Sequence, residues 1–246
     1  MKILFLMIKY ELCRLAEYKE KILLNHIFFA LIIFLEYSVY SAFLHKEGYR
    51  LILYLLVSTN LSSCLLTFRF PKFIYSLRKG EIVKYFTFPK SVWFIIVLED
   101  ISESVALLIE NSILLIGALL LSKASPLLSI EFILSVLLSI CLGVLISESF
   151  YSLTFVLNNY SASKTLLSGI SSMFAGGIIP LIYLPDLFVK ISYATPFALL
   201  IDGPVNILID GNLNIIPLQI IWCIVFGLIS YFLITSLYKN VSVFGG

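Results

Sequence analysis

The sequence predicts an all-α integral membrane protein with six transmembrane helices. Of its 246 residues, 60% are hydrophobic and 13% are charged, and the mean hydropathy is +1.03. A soluble domain carries about 25% charged and about 45–50% apolar residues, so this chain has too little polar surface to cover a core in water. Two patterns support the prediction: long apolar runs, and basic residues concentrated in alternate connections.

The apolar runs set the expected number of helices. A helix that crosses a bilayer needs about 20 apolar residues. Runs of about this length or longer lie at 22–44, 51–68, 92–121, 127–157, 165–183 and 215–237. We expect the whole chain, residues 1–246, to form a single transmembrane domain.

The basic residues set the orientation, because cytoplasmic loops of membrane proteins carry an excess of Lys and Arg. If the six runs cross in turn, the connections on one side hold most of the 17 basic residues. The exceptions are Lys46, Arg50, Lys123 and Lys190. This asymmetry predicts a multi-pass protein with both termini in the cytoplasm.

Residues 1–21 precede the first run and predict an amphipathic helix on the cytoplasmic membrane surface. Leu4, Ile8, Leu12 and Leu15 recur at helical spacing, and charged residues lie between them. The alternative is a basic tail that only orients the first transmembrane helix.

The outer segment 180–211 is apolar, but prolines and glycines interrupt it. A proline removes a backbone donor and ends helices, and irregular backbone is not stable against lipid. We therefore expect this segment to pack against protein, or to enter the bilayer partway and return. Its interrupting residues are Pro180, Pro185, Pro196, Gly203, Pro204 and Gly211.

Acidic residues within the apolar runs are candidates for chemistry. Glu99, Glu103 and Glu110 share one helix face, and Glu148 lies near the inner end of the fourth run. Charged groups in hydrocarbon are costly and often mark substrate paths. For Glu99, Glu103 and Glu148 the alternative is a hydrated position at the membrane surface. Glu110 lies deeper, which favours a polar contact between helices or a place on a substrate path.

Ser168, Ser172 and Gly176 recur every four residues in the fifth run. Small residues at this spacing allow two transmembrane helices to approach closely. The pattern therefore predicts helix packing.

Several functional classes lack their motifs here. The sequence has no GxxxxGK[ST] phosphate loop, no HExxH zinc motif and no GxSxG elbow. The four cysteines are far apart, and a net charge of +2 is too small to argue for nucleic acid. We expect no catalysis, no metal and no cofactor in this chain, and no nucleic-acid partner.

Two segments carry a resemblance to a known family. The outer one reads Gly176-Gly177-Ile178-Ile179-Pro180-Leu181, then Leu184-Pro185, Thr195-Pro196-Phe197 and Pro204-Val205. The cytoplasmic one reads Leu77-Arg78-Lys79-Gly80-Glu81-Ile82. With these motifs the chain resembles the ABC-2 type transporter permeases, in the bacterial branch called ABC-2 family transporter proteins.

The resemblance implies a permease subunit of an ATP-binding cassette exporter in the bacterial plasma membrane. In this family two permeases work with two separate ATPase subunits, which bind the ATP and Mg. Substrates tend to be hydrophobic or amphipathic peptides, lipids or drug-like molecules. A related chain is slightly favoured over a second copy as the other permease. The outer segment would form short re-entrant helices, marked by Pro180, Pro185, Pro196, Phe197 and Pro204.

The cytoplasmic loop 69–91 would then contain the coupling helix that docks on the ATPase. Arg and aromatic side chains are enriched at protein interfaces. The candidate contact residues are Phe73, Tyr75, Arg78, Lys79, Gly80 and Glu81, with Phe73 or Tyr75 as the apolar anchor. The alternative is a solvated loop that only sets the topology.

Two other functions stay open at this point. A cation- or proton-coupled secondary carrier would use Glu110 and its neighbours, although such carriers often have repeats and the sequence has no visible one. A non-transporting immunity or structural protein of the membrane is the third candidate.

Overall fold

The computed structural model describes residues 2–17, 19–43, 48–69, 71–79, 85, 91–122, 126–157, 160–177 and 179–240. Within these ranges every regular element is helical, which confirms the predicted all-α class for this part of the chain. The α-helices are α1 (Lys2–Ala16), α2 (Lys19–Phe43), α3 (Gly48–Cys64), α4 (Lys72–Arg78), α5 (Val92–Glu110), α6 (Ser112–Ser122), α7 (Pro126–Leu157), α8 (Tyr160–Phe174), α9 (Asp186–Ala194), α10 (Ala198–Asp210) and α11 (Ile215–Asn240). Two 3₁₀ turns lie at Leu66–Phe68 and Leu181–Tyr183.

Among the described residues, three helices are long and apolar enough to cross a membrane, within α2, α7 and α11. Two bent pairs meet the same standard, α5 with α6 at an angle of 58° and α9 with α10 at 111°. These three to five segments suit a multi-pass membrane protein. The structure does not establish six spans, because α3 has 17 residues and α8 has 15. At about 1.5 Å per residue they rise roughly 26 and 22 Å, less than the ~30 Å hydrocarbon core.

Helix α7 forms the centre of the molecule. Residues 142–149 are all buried, and α11, α10, α5 and α8 pack around this helix. Helix α2 lies at the periphery, where it packs mainly on α3. It exposes Leu23, Phe28, Leu31 and Phe34, as a helix that faces lipid would.

The two ends of the bundle differ in chemistry. At one end, which we call the basic end, α1, the end of α3, α4 and the start of α5 meet the last part of α7. There the Tyr151 hydroxyl donates to the Arg69 carbonyl at 3.2 Å. At the other end, which we call the proline end, the start of α3 meets α10, and Arg50 pairs with Asp210 at 3.6 Å.

The proline-rich segment packs against protein only in its second half: α10 is buried, whereas α9 is largely exposed, with Leu187 72% and Ile191 46% exposed. Pro185 precedes α9, and Pro196 and Phe197 lie in the turn between α9 and α10. Pro180 precedes the 3₁₀ turn. Pro204 departs from the expectation, because α10 continues through it to Asp210. Proline removes a single backbone donor, and α10 is buried against α3 and α7 on both sides of it.

Helix α1 is oriented differently from the predicted amphipathic helix. Glu11 is only 4% exposed and lies against α5, whereas Phe5, Leu6 and Tyr10 are exposed. Glu11 and Arg14 turn toward α5 because they have ionic partners there, described below, whereas Lys9 is exposed. The helix also ends at Ala16, short of the predicted residue 21, and α2 begins at Lys19.

Candidate functional site

Five charged side chains meet at the basic end, and we call them the ionic cluster. They are Glu11, Arg14, Arg69, Lys72 and Glu103. The Glu103 carboxylate lies at the centre: Oε1 is 3.3 Å from both Arg14 Nη2 and Arg69 Nη1, and Oε2 is 3.6 Å from Lys72 Nζ. The Lys72 ammonium also pairs with Glu11. The cluster thus links α1, α4 and α5.

Local structure places each member. Glu11 and Arg14 are one turn apart on α1 and pair at 2.8 Å. Lys72 is the first residue of α4, and its backbone N–H donates to Asp100 Oδ1 at 3.3 Å. The Arg69 guanidinium is held by the Cys64 carbonyl at 2.8 Å and by Ser104 Oγ at 3.0 Å.

The cluster is largely removed from solvent. The side chain of Glu11 is 5% exposed, and those of Glu103 and Lys72 are each 18% exposed. Salt screens such pairs less than exposed ones, and removing one partner leaves the others buried without a countercharge. A displacement of α4 would therefore be transmitted to α1 and α5.

Asp100 on α5 and Glu148 on α7 are a second buried polar feature, on two helices that pack together. Asp100 is 0% exposed and Glu148 is 1% exposed. Asp100 Oδ2 and Glu148 Oε1 have no hydrogen-bond partner among the described residues. Burying an ionised carboxylate without a donor is costly. Sequence analysis placed Glu148 at a hydrated surface or on a path; the structure places it inside the protein.

Tyr85 connects loop 69–91 to α5. Its hydroxyl donates to Glu99 Oε2 at 2.6 Å, and its ring packs edge-on against Phe73 with centroids 5.4 Å apart. Burial, and then the Glu99 carboxylate, raise the pKa of Tyr85, so the hydroxyl stays protonated and keeps donating. Glu99 is thereby a structural acceptor in this arrangement.

The predicted coupling residues fall into three groups. Phe73 is 7% exposed and lies in the core, so its ring is not available as an anchor for another protein. This corrects the Phe73 prediction: α4 turns Phe73 and Ile74 inward. Lys79 is exposed directly after α4, and Tyr75 and Arg78 belong to the helix itself. Gly80 and Glu81 lie outside the described residues.

Asn111, the neighbour of Glu110, makes polar contacts between helices. Asn111 lies at the break between α5 and α6, where its carbonyl accepts from Asn60 Nδ2 at 2.7 Å. Its own amide donates to Ser63 Oγ at 3.1 Å. Glu110 itself is half-buried, and its Oε2 is shielded from solvent.

The ionic cluster was not predicted as a site from the sequence. Arg14, Arg69 and Lys72 counted among the basic residues that orient the chain, Glu11 and Arg14 were assigned to the hydrated face of the N-terminal helix, and Arg69 was assigned to the coupling loop. The one available signal was the high density of opposite charges in residues 9–21 and 69–84. No three His, Cys, Asp or Glu side chains of the described residues are grouped as metal ligands.

The chain was compared with models of protein families, with curated proteins and with solved structures, and none of the three comparisons gave a match.

Proposed function

We propose that this chain is the membrane-spanning permease subunit of an ATP-binding cassette exporter. It crosses the bacterial plasma membrane six times, with both termini in the cytoplasm and residues 180–211 re-entrant at the outer side. Two separate ATPase subunits bind ATP and Mg, and a second permease, more often a related chain than a copy, completes the transporter. The substrate is hydrophobic or amphipathic. The family resemblance of the two motifs supports these assignments.

The observation that carries the proposal is the attachment of α4. This helix has seven residues, lies between α3 and α5 in the chain, and is joined by Lys72 to Glu11, Glu103 and Asp100. A helix bonded to α1 and α5 in this way can pass a movement of a docked ATPase into the bundle. The exposed Lys79 would lie at the docking surface.

Charge reversal at Lys79 tests the docking. We expect Lys79→Glu to lower the amount of ATPase that copurifies with the tagged chain several-fold, because a charge at an interface opposes a like-charged partner. The matched control is Lys190→Glu, which reverses an exposed lysine on α9 at the proline end. Its recovery of ATPase should equal that of the wild type.

A point substitution tests docking more specifically than replacement of the whole loop would. Replacement of 70–89 would also remove Lys72, Phe73 and Tyr85 from the core and the cluster, and it would unfold this end. If no ATPase copurifies with the wild-type chain, or if Lys79→Glu and Lys190→Glu behave alike, the coupling proposal is wrong.

One observation favours a second candidate, a proton-coupled carrier. Two buried acidic side chains on neighbouring helices, such as Asp100 and Glu148, are the type of group that such carriers use. The chain alone in proteoliposomes, with a pH-sensitive dye inside, separates the two functions. If the chain alone conducts protons and Glu148→Gln abolishes this flux, the result supports the carrier. If the chain alone conducts no protons, the result supports the permease.

A further inference from the structure

A cavity of about 370 Å³ opens at the proline end, between α3, α10 and the 3₁₀ turn before α9. This volume lies in the range of pockets for small organic ligands, about 300–1,000 Å³. Its walls are mainly apolar and aromatic, with Leu51, Tyr54, Tyr183, Val205 and Ile209 among them. It lies at the opposite end of the bundle from the ionic cluster.

A buried carboxylate lines this cavity. Asp202 is 4% exposed, and its Oδ2 accepts hydrogen bonds from the Tyr193 hydroxyl and from Asn206 Nδ2, the latter at 2.9 Å. No residue of the described chain donates a hydrogen bond to its other oxygen, Oδ1. Because Asp202 lines the cavity, Oδ1 can accept a hydrogen bond from a ligand bound there.

The two other charged side chains that line the cavity, Arg50 and Asp210, have opposite charges. They pair with each other at 3.6 Å, and both side chains are about half exposed. Asp202 therefore leaves the lining with one excess negative charge. The Tyr54 hydroxyl does not compensate it, because that group donates to the Gly176 carbonyl at 2.8 Å.

The tyrosine rings add a second feature that suits a cation. The Tyr183 ring stacks on Tyr40 with centroids 6.2 Å apart, which fixes it at the cavity wall. Aromatic faces attract cations that lie within about 6 Å of the ring. Apolar walls, aromatic faces and one uncompensated carboxylate together match an amphiphile with a single positive group.

We propose that this cavity binds a cationic amphiphile, with a primary ammonium group on Asp202 Oδ1 and an alkyl or aryl part against the apolar wall. The ammonium supplies the N–H donor that Oδ1 lacks. The role of this ligand as the transported substrate rests on the proposed function, but its binding does not, because the site lies within one chain.

Binding of radiolabelled octylammonium tests the proposal on the full chain without ATPase. The protein is reconstituted in nanodiscs of zwitterionic phosphatidylcholine, and binding to empty nanodiscs is subtracted. We expect saturable binding of one molecule per chain. Unlabelled octanol and octanoate, which have the same chain length without the positive charge, should not displace it.

Two substitutions locate the site. Asp202→Asn should weaken binding at least tenfold while keeping the bonds from Tyr193 and Asn206. Asp186→Asn, an exposed carboxylate of α9 that does not line the cavity, should leave binding unchanged. Size-exclusion chromatography and circular dichroism check that each variant is folded.

Three results would each contradict the proposed site. They are displacement of octylammonium by octanol, undiminished binding by folded Asp202→Asn, and an equal loss of binding in Asp202→Asn and Asp186→Asn. The octanol and octanoate competitions use the wild type, so they decide the question even if Asp202→Asn does not fold. Because no ATPase is present, a negative result here leaves the permease proposal to the copurification experiment.

Discussion

Gly176 is the residue where backbone geometry and packing constrain the sequence most tightly. Its φ is +79°, and a Cβ at this position would lie 2.1 Å from the Tyr54 hydroxyl. A side chain in the left-handed region costs about 1–3 kcal/mol, and the clash would break the hydrogen bond from Tyr54. We expect Gly176→Ala to lower the free energy of unfolding by about 2 kcal/mol, measured by denaturant titration in detergent micelles.

Gly169 offers the control on α8, the helix that ends at Phe174 just before Gly176. A Cβ there would have no heavy atom within 4 Å. Alanine is up to about 1 kcal/mol more favourable than glycine inside a helix, so Gly169→Ala should keep or raise stability. If both substitutions destabilise equally, the strain assigned to Gly176 is absent. The regular spacing of Ser168, Ser172 and Gly176 predicts packing, but it contains no sign of this positive φ.

At the scale of elements, Gln219 holds three helices together. It is 0% exposed on α11, and its amide N–H groups donate to Ser139 Oγ at 2.9 Å and to the Leu199 carbonyl at 3.0 Å. Its carbonyl accepts from Ser135 Oγ at 2.9 Å. The Gln219 side chain on α11 is thus hydrogen-bonded to both α7 and α10.

Gln219→Leu should therefore destabilise the bundle by about 1–3 kcal/mol, since it leaves Ser135 Oγ on α7 buried without its acceptor and removes the bond from α11 to the Leu199 carbonyl on α10. The measurement is the same denaturant titration. Leu218→Ala, next to it but 40% exposed, is the control and should have a smaller effect. A Gln219→Leu variant as stable as the wild type would contradict this role.

Glu103 should hold α1 against α5. Glu103→Gln removes the charge that faces Arg14, Arg69 and Lys72, so we expect faster hydrogen exchange in α1 and a loss of about 1–3 kcal/mol in stability. Glu17→Gln removes an exposed carboxylate just after α1 and should change neither. Unchanged exchange in Glu103→Gln would mean that α1 is held by apolar packing alone.

The helices could be predicted from the sequence because each apolar run is a local signal. The run 51–68 corresponds to α3 and its 3₁₀ turn, and the run 215–237 to α11. The ionic cluster could not, because its partners are 61 residues apart for Glu11 and Lys72 and 89 apart for Arg14 and Glu103. Which charged side chains turn inward depends on how the helices rotate against one another, and periodicity does not determine that rotation.

At the scale of the whole molecule, the two ends of the bundle differ in their charged groups. The basic end has the ionic cluster and the exposed Lys79, and the proline end has the cavity at Asp202. If the membrane lies between them, the first faces the cytoplasm and the second the outside, in agreement with the distribution of Lys and Arg. The position of each end relative to the membrane can be measured directly.

Thiol labelling of intact cells with a membrane-impermeant maleimide makes this measurement. Cys13 on α1 is exposed, whereas Cys64 is buried and Cys141 and Cys223 are partly buried on α7 and α11. The wild-type chain should therefore remain unlabelled in intact cells and react after permeabilisation. In a Cys13→Ser background, Lys79→Cys should behave in the same way, and Lys190→Cys should react from outside without permeabilisation. Both lysines are exposed, so the pair differs only in its end of the bundle. Labelling of Lys79→Cys from outside would show that the topology is the opposite of the predicted one. Helix α4 would then lie outside the cell, where no ATPase could reach it.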